Sequence, residues 1–512
     1  MEQSVSAPLQ RAKQLLGDET SLAVVQNSEE RTFTSRGIGA LLDLLPQEGL
    51  RGASVADKIV GKAAALLMVR GGVKEVYAET LSESGDAVLS RYNVPHACGT
   101  LTPAIQNREG TGPCPMERAV ENISDPGTAQ AVLRARRDEL ADGRPNAKKL
   151  GFGCMRLPVV GGKTGQIDIG RFAGMIDTFL SRGFTYFDTA YRYHDGDSEP
   201  ALRKALVERH PRDSFTVTTK MPMFMVHKRE DMERIFDDQL QRLGVEYFDY
   251  YWLHALNRLE YIKVQRLDAF GFIMQKKKEG RIRHIGFSFH DTAKTLDKIL
   301  ADHPEAEYVQ LQINYLDWNS RLVQSRACYE TAMRRGVPVI VMEPVKGGAL
   351  ASLPPAAVQM LKNHDAAASP ASWAVRFAAS LPGVAYVLSG MSDEAQLDDN
   401  TSYMQNFVPL TEEENKLAFA AGAIVKGGTA VPCTGCRYCA EGCPQHIAIP
   451  EYFALLNENK HTGGGKEMYA ELAKAHGRAS DCIRCGKCEK ICPQHIKIRS
   501  FLQKAAQTFE QP

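Results

Sequence analysis

From Lys148 onward the chain alternates short apolar, β-branched runs with amphipathic stretches, eight times in about 260 residues. The runs are "KKLGFGCMRLP", "FTYFDTA", "FTVTTKMP", "FDYYWLHA", "IRHIGFSFH", "YVQLQINYL", "VPVIVMEP" and "VAYVLSG". Helix-patterned segments such as "GRFAGMIDTFLSRG", "SEPALRKALVER" and "DMERIFDDQLQRLG" separate them. Strands that alternate with helices build a parallel sheet, and eight such units fit a closed (β/α)8 TIM barrel. A doubly wound sheet usually needs fewer strands, and no G-x-G-x-x-G turn follows the first run. A barrel carries its chemistry at the C-terminal ends of its strands. There the sequence places Asp188 and Tyr193 (second run), Lys220 (third) and His254 (fourth). Ser288 and His290 end the fifth run, and Gln312 and Asn314 the sixth.

The 512 residues exceed one hydrophobic core, so further domains flank the barrel. Near the end, "CTGCRYCAEGCP" at 433–444 and "CIRCGKCEKICP" at 482–493 each set four cysteines as C-x2-C-x2-C-x3-C before a proline. Three thiolates at two-residue gaps wrap one cubane cluster, and the fourth cysteine commonly ligates the other cluster of a pair. One 4Fe–4S cluster is thus expected on Cys433, Cys436, Cys439 and Cys492, and a second on Cys482, Cys485, Cys488 and Cys443. Structural zinc sites instead use well-separated C-x2-C pairs. Eight of the twelve cysteines are used in this way; Cys98, Cys114, Cys154 and Cys328 read as small buried hydrophobes. Matching text after each run, "PQHIAIPEYF" and "PQHIKIRSFL", indicates an internal duplication with a helical spacer.

The ends of the barrel have marks of their own. "LTEEENKLAFAAGAIVKGG" opens with Thr411 and Glu414 in capping-box spacing and ends at Gly427 and Gly428, predicting a helix that leads to the first cysteine loop. "AQAVLRARRDELADGRPNAKK" reads as a polar, partly helical connector. The expected division is 1–125 for a small α/β domain, 126–147 for the linker helix, 148–410 for the barrel and 411–512 for the cluster domain. A net charge of +1 offers no bulk field for nucleic acid or an anionic membrane. No apolar stretch suits a membrane span and no secretory leader is evident, so the expected location is the cytoplasm.

The tetrad Asp188, Tyr193, Lys220 and His254, with "LGFGCMRLP", "SRGFTYFDTA" and "GDSEPALRKAL", resembles the aldo-keto reductases over roughly residues 148–410. The resemblance implies an NADPH- or NADH-dependent reductase of small-molecule carbonyls. In it Tyr193 donates the proton, Lys220 tunes it, Asp188 anchors Lys220 and His254 orients the substrate oxygen. It also places Ser288, Gln312 and Asn314 near the nicotinamide, and Ser389, Gly390, Ser392, Gln396 and Asn400 near the adenosine. Phe289 and Met342 depart from the pattern, standing where many relatives carry asparagine and tyrosine. The cysteine runs resemble the all-helical kind of two-cluster ferredoxin domain. The first 125 residues resemble a cytidine-deaminase-like fold that has lost its zinc: "GKAAA" lacks H-x-E, and of P-C-x-x-C only Pro113 and Cys114 remain in "PCPME". Three functions compete: a carbonyl reductase with a structural or docking cluster domain, an electron conduit serving an external partner such as a ferredoxin, and a redox or oxygen sensor.

Overall fold

The computed structural model describes residues 6–35, 37–144, 147–161 and 165–511. It begins with a five-stranded sheet of order β2-β1-β3-β4-β5. Strands β1 (Leu22–Gln26) and β2 (Glu29–Phe33) form the expected hairpin. Its two turn residues, Asn27 and Ser28, both have positive φ, which matches the twist of a two-residue hairpin. Strand β1 is also antiparallel to β3 (Ser54–Val60), whereas β3, β4 (Glu75–Ser82) and β5 (His96–Thr102) run parallel. The helix Lys62–Gly71 is alanine- and leucine-rich and buries Ala63 through Met68 in this domain's core.

The helix Pro126–Ala141 does more than connect. Asp125 caps it, accepting from the Thr128 amide at 2.7 Å, and Pro126 fits the first helical position. Ala129 and Leu133 enter the N-terminal core, while Ala131 enters the barrel core. Ala135 packs with Tyr186, Tyr250, Trp252 and Tyr308 at the N-terminal end of the barrel. The Tyr308 hydroxyl donates to Asp138 at 2.9 Å, and His284 lies 3.2 Å from Asp142. The polar residues that make this segment read as a solvated linker are spent on polar groups at the barrel's base.

The barrel closes in the order expected of eight parallel strands. They are β6 (Leu150–Gly153), β7 (Tyr186–Asp188), β8 (Thr216–Met221), β9 (Phe248–Leu256), β10 (Ile282–Phe289), β11 (Tyr308–Gln312), β12 (Val339–Met342) and β13 (Val384–Ser389). Gly286 is required in β10, because a Cβ there would stand 2.1 Å from the Tyr308 carbonyl oxygen.

Thr411 and Glu414 cap the helix Glu412–Gly428 reciprocally, at 3.2 and 2.7 Å. Its buried face, Ala418, Ala421 and Val425, lies in the barrel core, so by packing the barrel extends to Gly428. Beyond it, helices Ile449–Thr462, Lys466–Ala475 and Ile498–Phe509 build a separate core around Tyr452, Phe453, Tyr469 and Leu502. A single parallel bridge, Ile447 to Gly477, joins the two halves of this helical domain. Among the described residues no helix is long and apolar enough to cross a membrane.

Candidate active site and cysteine-lined cavities

The C-terminal ends of β7, β8 and β9 bring the tetrad together. Lys220 is fully buried, with its Nζ 2.5 Å from Asp188 Oδ1. The same ammonium donates to the Thr189 carbonyl at 2.8 Å and reaches the Tyr193 hydroxyl at 3.4 Å. Gln310 holds the other Asp188 oxygen at 3.1 Å. Burial pushes Lys220 down and Asp188 up, while each one's charge pulls the other back. Tyr193 is pushed well above the usual phenol range by burial and then by the Asp188 charge, with the Tyr438 hydroxyl pulling it down. It is therefore a protonated group beside a cation, the state a proton donor needs. His254 is depressed well below its usual value by burial and by Lys220 and His290, so it is a neutral imidazole. Its Nδ1 is buried without a hydrogen-bond partner among the described residues.

A cavity of about 90 Å3 opens above these groups. Asp188, Tyr193, His254, Ser288 and Gly390 line it, together with Cys436, Tyr438 and Gln494 from the helical domain. The helical domain thus forms the outer wall of the tetrad's pocket. Its seat is polar. Gln494 exchanges two amide hydrogen bonds with Gln312, at 3.0 and 2.9 Å, and accepts from Lys346 at 2.5 Å. Lys346 in turn pairs with Asp317 at 2.6 Å, a carboxylate also held by Gln312 and Asn314. Arg156 donates to the Thr434 carbonyl at 2.7 Å, and Gly347 lies so close that a Cβ there would meet that oxygen at 2.4 Å. Tyr438 faces His254 edge-on, with ring centroids 6.5 Å apart.

The other expected cofactor residues divide into two groups. Gln312 and Asn314 are buried and do not line the cavity: Gln312 is bonded to Gln494, and Asn314 donates to Asp317 and to the Glu343 carbonyl at 3.1 Å each. Ser288 Oγ accepts from the Ala255 amide at 2.7 Å. Asn400 donates to Ser389 at 2.9 Å, and Ser392 donates to the Arg156 carbonyl at 2.9 Å. Gln396 is tied to Asp393 at 2.8 Å. Arg171 also reaches this helix but is spent on Glu394 at 2.5 Å.

The eight cysteines of the two runs line two further cavities, four to each. Cys433, Cys436, Cys439 and Cys492 surround one, with Phe453 and Ile496. Cys443, Cys482, Cys485 and Cys488 surround the other, with Ile447 and Leu502. The fourth cysteine of each run thus stands with the first three of the other. Among the described residues no three His, Cys, Asp or Glu side chains converge as ligands of a single ion would. Burial pushes Cys433 to about 11 and Cys436 to about 12, so thiolates there require a positively charged partner such as iron.

Among the described residues the N-terminal domain shows no comparable cluster of cysteines. Glu117 follows Cys114 by three residues, where P-C-x-x-C has its second cysteine. Its carboxylate accepts from the Lys62 and Ala63 amides at 2.8 and 2.9 Å, so this chain's own acid fills the helix N-terminus.

Sequence reasoning missed Gln310, Asp317, Lys346, Tyr438 and Gln494. None stands in a recognisable spacing with the tetrad; Gln494 meets Gln312 across 182 residues.

An eight-stranded parallel barrel with a buried Lys–Asp pair beside a tyrosine and a neutral histidine at its C-terminal end defines a class of barrel oxidoreductase. Residues 149–420 match the model of the aldo/keto reductase family, and the chain belongs to that family. Residues 432–496 match a 4Fe-4S dicluster domain, and residues 11–136 match a domain of unknown function, DUF1893. An uncharacterized oxidoreductase of Schizosaccharomyces pombe is 26% identical over 237 residues, 45% of this chain and 73% of that protein. Two solved structures share the barrel. The aldo-keto reductase AKR11C1 of Bacillus halodurans (holo form) is 24% identical with a TM-score of 0.44, over 53% of this chain and 91% of that one. An aldo-keto reductase of Klebsiella pneumoniae in complex with NADPH is 17% identical with a TM-score of 0.43, over 53% of this chain and 92% of that one. The protein is therefore an oxidoreductase enzyme with an iron–sulfur domain against its barrel. The resemblance of the first 125 residues to a deaminase receives no support from the family match, which names no activity.

Proposed function

We propose that the protein reduces a small-molecule carbonyl to an alcohol with a nicotinamide cofactor, NADPH or NADH, and that it carries two 4Fe–4S clusters. The observation that carries the first half is the Asp188–Lys220–Tyr193 chain beneath a cavity that His254 also lines. Bound cofactor supplies the hydride, which no side chain can. The chain supplies the rest. Tyr193 gives its proton to the oxygen that gains charge, and Lys220 stabilises the phenolate left behind. Asp188 and Gln310 hold Lys220 in place. His254, neutral, donates a hydrogen bond to the carbonyl oxygen and fixes its direction. Ser288 lines the cavity and suits the nicotinamide end, and Gly390, which lines it too, belongs with Ser389, Ser392, Gln396 and Asn400 to the adenosine end. Ligand pockets usually exceed about 300 Å3. The present cavity is smaller, so for Gln312 to meet the cofactor Gln494 has to release it.

Each cysteine foursome is proposed to hold one cluster, which supplies one-electron redox chemistry to the domain. Phe453 and Ile496 cover the first foursome with apolar surface, and Leu502 covers the inner side of the second, whose Cys485 is exposed. Glu117 leaves no room for deaminase zinc, so the N-terminal domain is read as deaminase-like in strand order only, a packing and interaction module. A reducing compartment such as the cytoplasm suits these thiol-rich loops.

The test is anaerobic turnover of an aldehyde and ketone panel by iron-loaded protein. Tyr193→Phe is expected to lower kcat by about 100-fold or more with unchanged iron content. Full turnover by that variant sinks the assigned proton donor. A second reading, in which the clusters conduct electrons between the pocket and an external carrier, is favoured by Cys436 and Tyr438 lining the tetrad cavity.

A further inference from the structure

The two cysteine loops differ in what surrounds them. In the first, the charges are consumed internally: Glu441 accepts from Arg192 of the barrel at 2.8 Å, and Arg437 pairs with Glu451. Cys439 and Cys492 are buried, and Cys436 faces the tetrad. The second loop faces outward. Cys485 is exposed, and the flanking Ile483 and Ile491 are 60% and 43% exposed. Arg484, Lys487 and Lys490 are exposed as well, and none has an ion-pair partner among the described residues. Glu489, the only acid between Cys482 and Cys492, is held by Arg499 at 2.7 Å.

We propose that this face of the second loop is the docking surface for a small acidic one-electron carrier protein. Unpaired cations around an exposed apolar spot complement an acidic partner with an apolar contact of its own, steering it and fixing its register. A redox ligand at the centre of the patch selects an electron carrier among acidic proteins. The step balances simply. One electron leaves the carrier and enters the second cluster, so the carrier is oxidised by one electron and the cluster reduced by one, with no bond made or broken. The first foursome, Cys433, Cys436, Cys439 and Cys492, would then hold the intermediate one-electron centre, since Cys436 also lines the tetrad cavity. The inference rests on the second reading above and names its partner and its place.

The test uses iron-loaded, oxygen-free protein whose iron content and dithionite-reduced EPR signal are recorded first. A protein that assembles no clusters overturns both the port and the cluster reading. The probe is plant-type [2Fe–2S] ferredoxin, a small acidic carrier, followed by calorimetric titration and by stopped-flow reduction of the clusters. The reversal R484E/K487E/K490E is compared with K278E/K294E/K362E, which makes the same change of charge at exposed lysines elsewhere. At low ionic strength the first is expected to raise Kd and slow the transfer by about tenfold or more, and added salt to narrow the gap. The second should behave as wild type. Lys490 lies outside the cavity lining, so K490E alone keeps the test sound if the triple variant loses iron; it should weaken binding in the same direction. Unaltered binding by variants with intact clusters overturns the port while leaving the reductase reading intact. So does a wild-type protein that neither binds nor accepts electrons from the reduced ferredoxin.

Discussion

His254 sits at the cavity wall with its pKa held well below 6.5 by burial first and by Lys220 and His290 next. Above pH 6.5 it is neutral in both folded and unfolded chains and contributes nothing to pH dependence. Below that value the unfolded chain takes up a proton that the folded chain refuses, so stability falls as pH drops from 6.5 toward the folded value. The slope in that window approaches about 1.4 kcal/mol per pH unit for one such group. His254→Gln should therefore lose less melting temperature between pH 7 and pH 5 than wild type, in calorimetric scans of both. Equal losses would show that the imidazole is solvated. Gln494 allows a second test at this scale. Its carboxamide satisfies the side chain of Gln312, a residue expected near the nicotinamide. Gln494→Ala removes that competitor without touching a cysteine. It is expected to lower the KM for NADPH several-fold while leaving the dithionite-reduced EPR signal as it was. An unchanged or higher KM would mean that Gln494 assists the cofactor rather than excluding it.

Elements explain which parts of this arrangement were legible. The alternation of β-branched runs and amphipathic stretches is local, so the eight strands and the tetrad at their ends could be placed from the sequence. The expected cysteine foursomes came from spacing together with the exchange of the fourth cysteine usual in paired clusters, and each four line one cavity. The seat between barrel and helical domain could not, since Arg156 meets Thr434 across 278 residues and Lys346 meets Gln494 across 148. Nor could the role of the helix Pro126–Ala141, whose charges look solvated until the barrel's base supplies Tyr308 and His284. Tyr308→Phe removes the hydroxyl donor from one oxygen of the buried Asp138 carboxylate, leaving Arg137 on the other, and should cost about 1–3 kcal/mol in denaturant titration. The loop Lys346–Gly348 carries the matching prediction for the other end. Gly347 has φ +65° and no room for a Cβ against the Thr434 backbone, which cannot yield as a flexible side chain would. Gly347→Ala should lift the first cysteine loop, read as faster hydrogen exchange over residues 431–440 at unchanged iron content. Wild-type exchange rates would show that the loop is held without this contact.

At the scale of the molecule the question is how a two-electron site and one-electron centres come to share a wall. A nicotinamide gives its electrons as a pair, whereas each cluster accepts one, and no flavin-binding segment is evident in the sequence to divide them. One cluster on each cysteine foursome, as proposed, would together hold a pair, and Cys436 of the first foursome lines the tetrad cavity. Geometry permits the transfer; relative potential decides it. Anaerobic titration of the iron-loaded protein with NADPH, followed by low-temperature EPR beside a dithionite control, separates the cases. If the port and the pocket are two ends of one conduit, NADPH alone should raise a reduced-cluster signal, and Tyr193→Phe should leave it in place, because oxidation of NADPH by the clusters would send one electron to each and release a proton to solvent, needing none from tyrosine. Signal with dithionite and silence with NADPH would place the cluster potentials below the nicotinamide couple or isolate the barrel electronically. Reduction by the acidic carrier distinguishes those outcomes, since a low-potential donor at the second cluster bypasses the nicotinamide altogether.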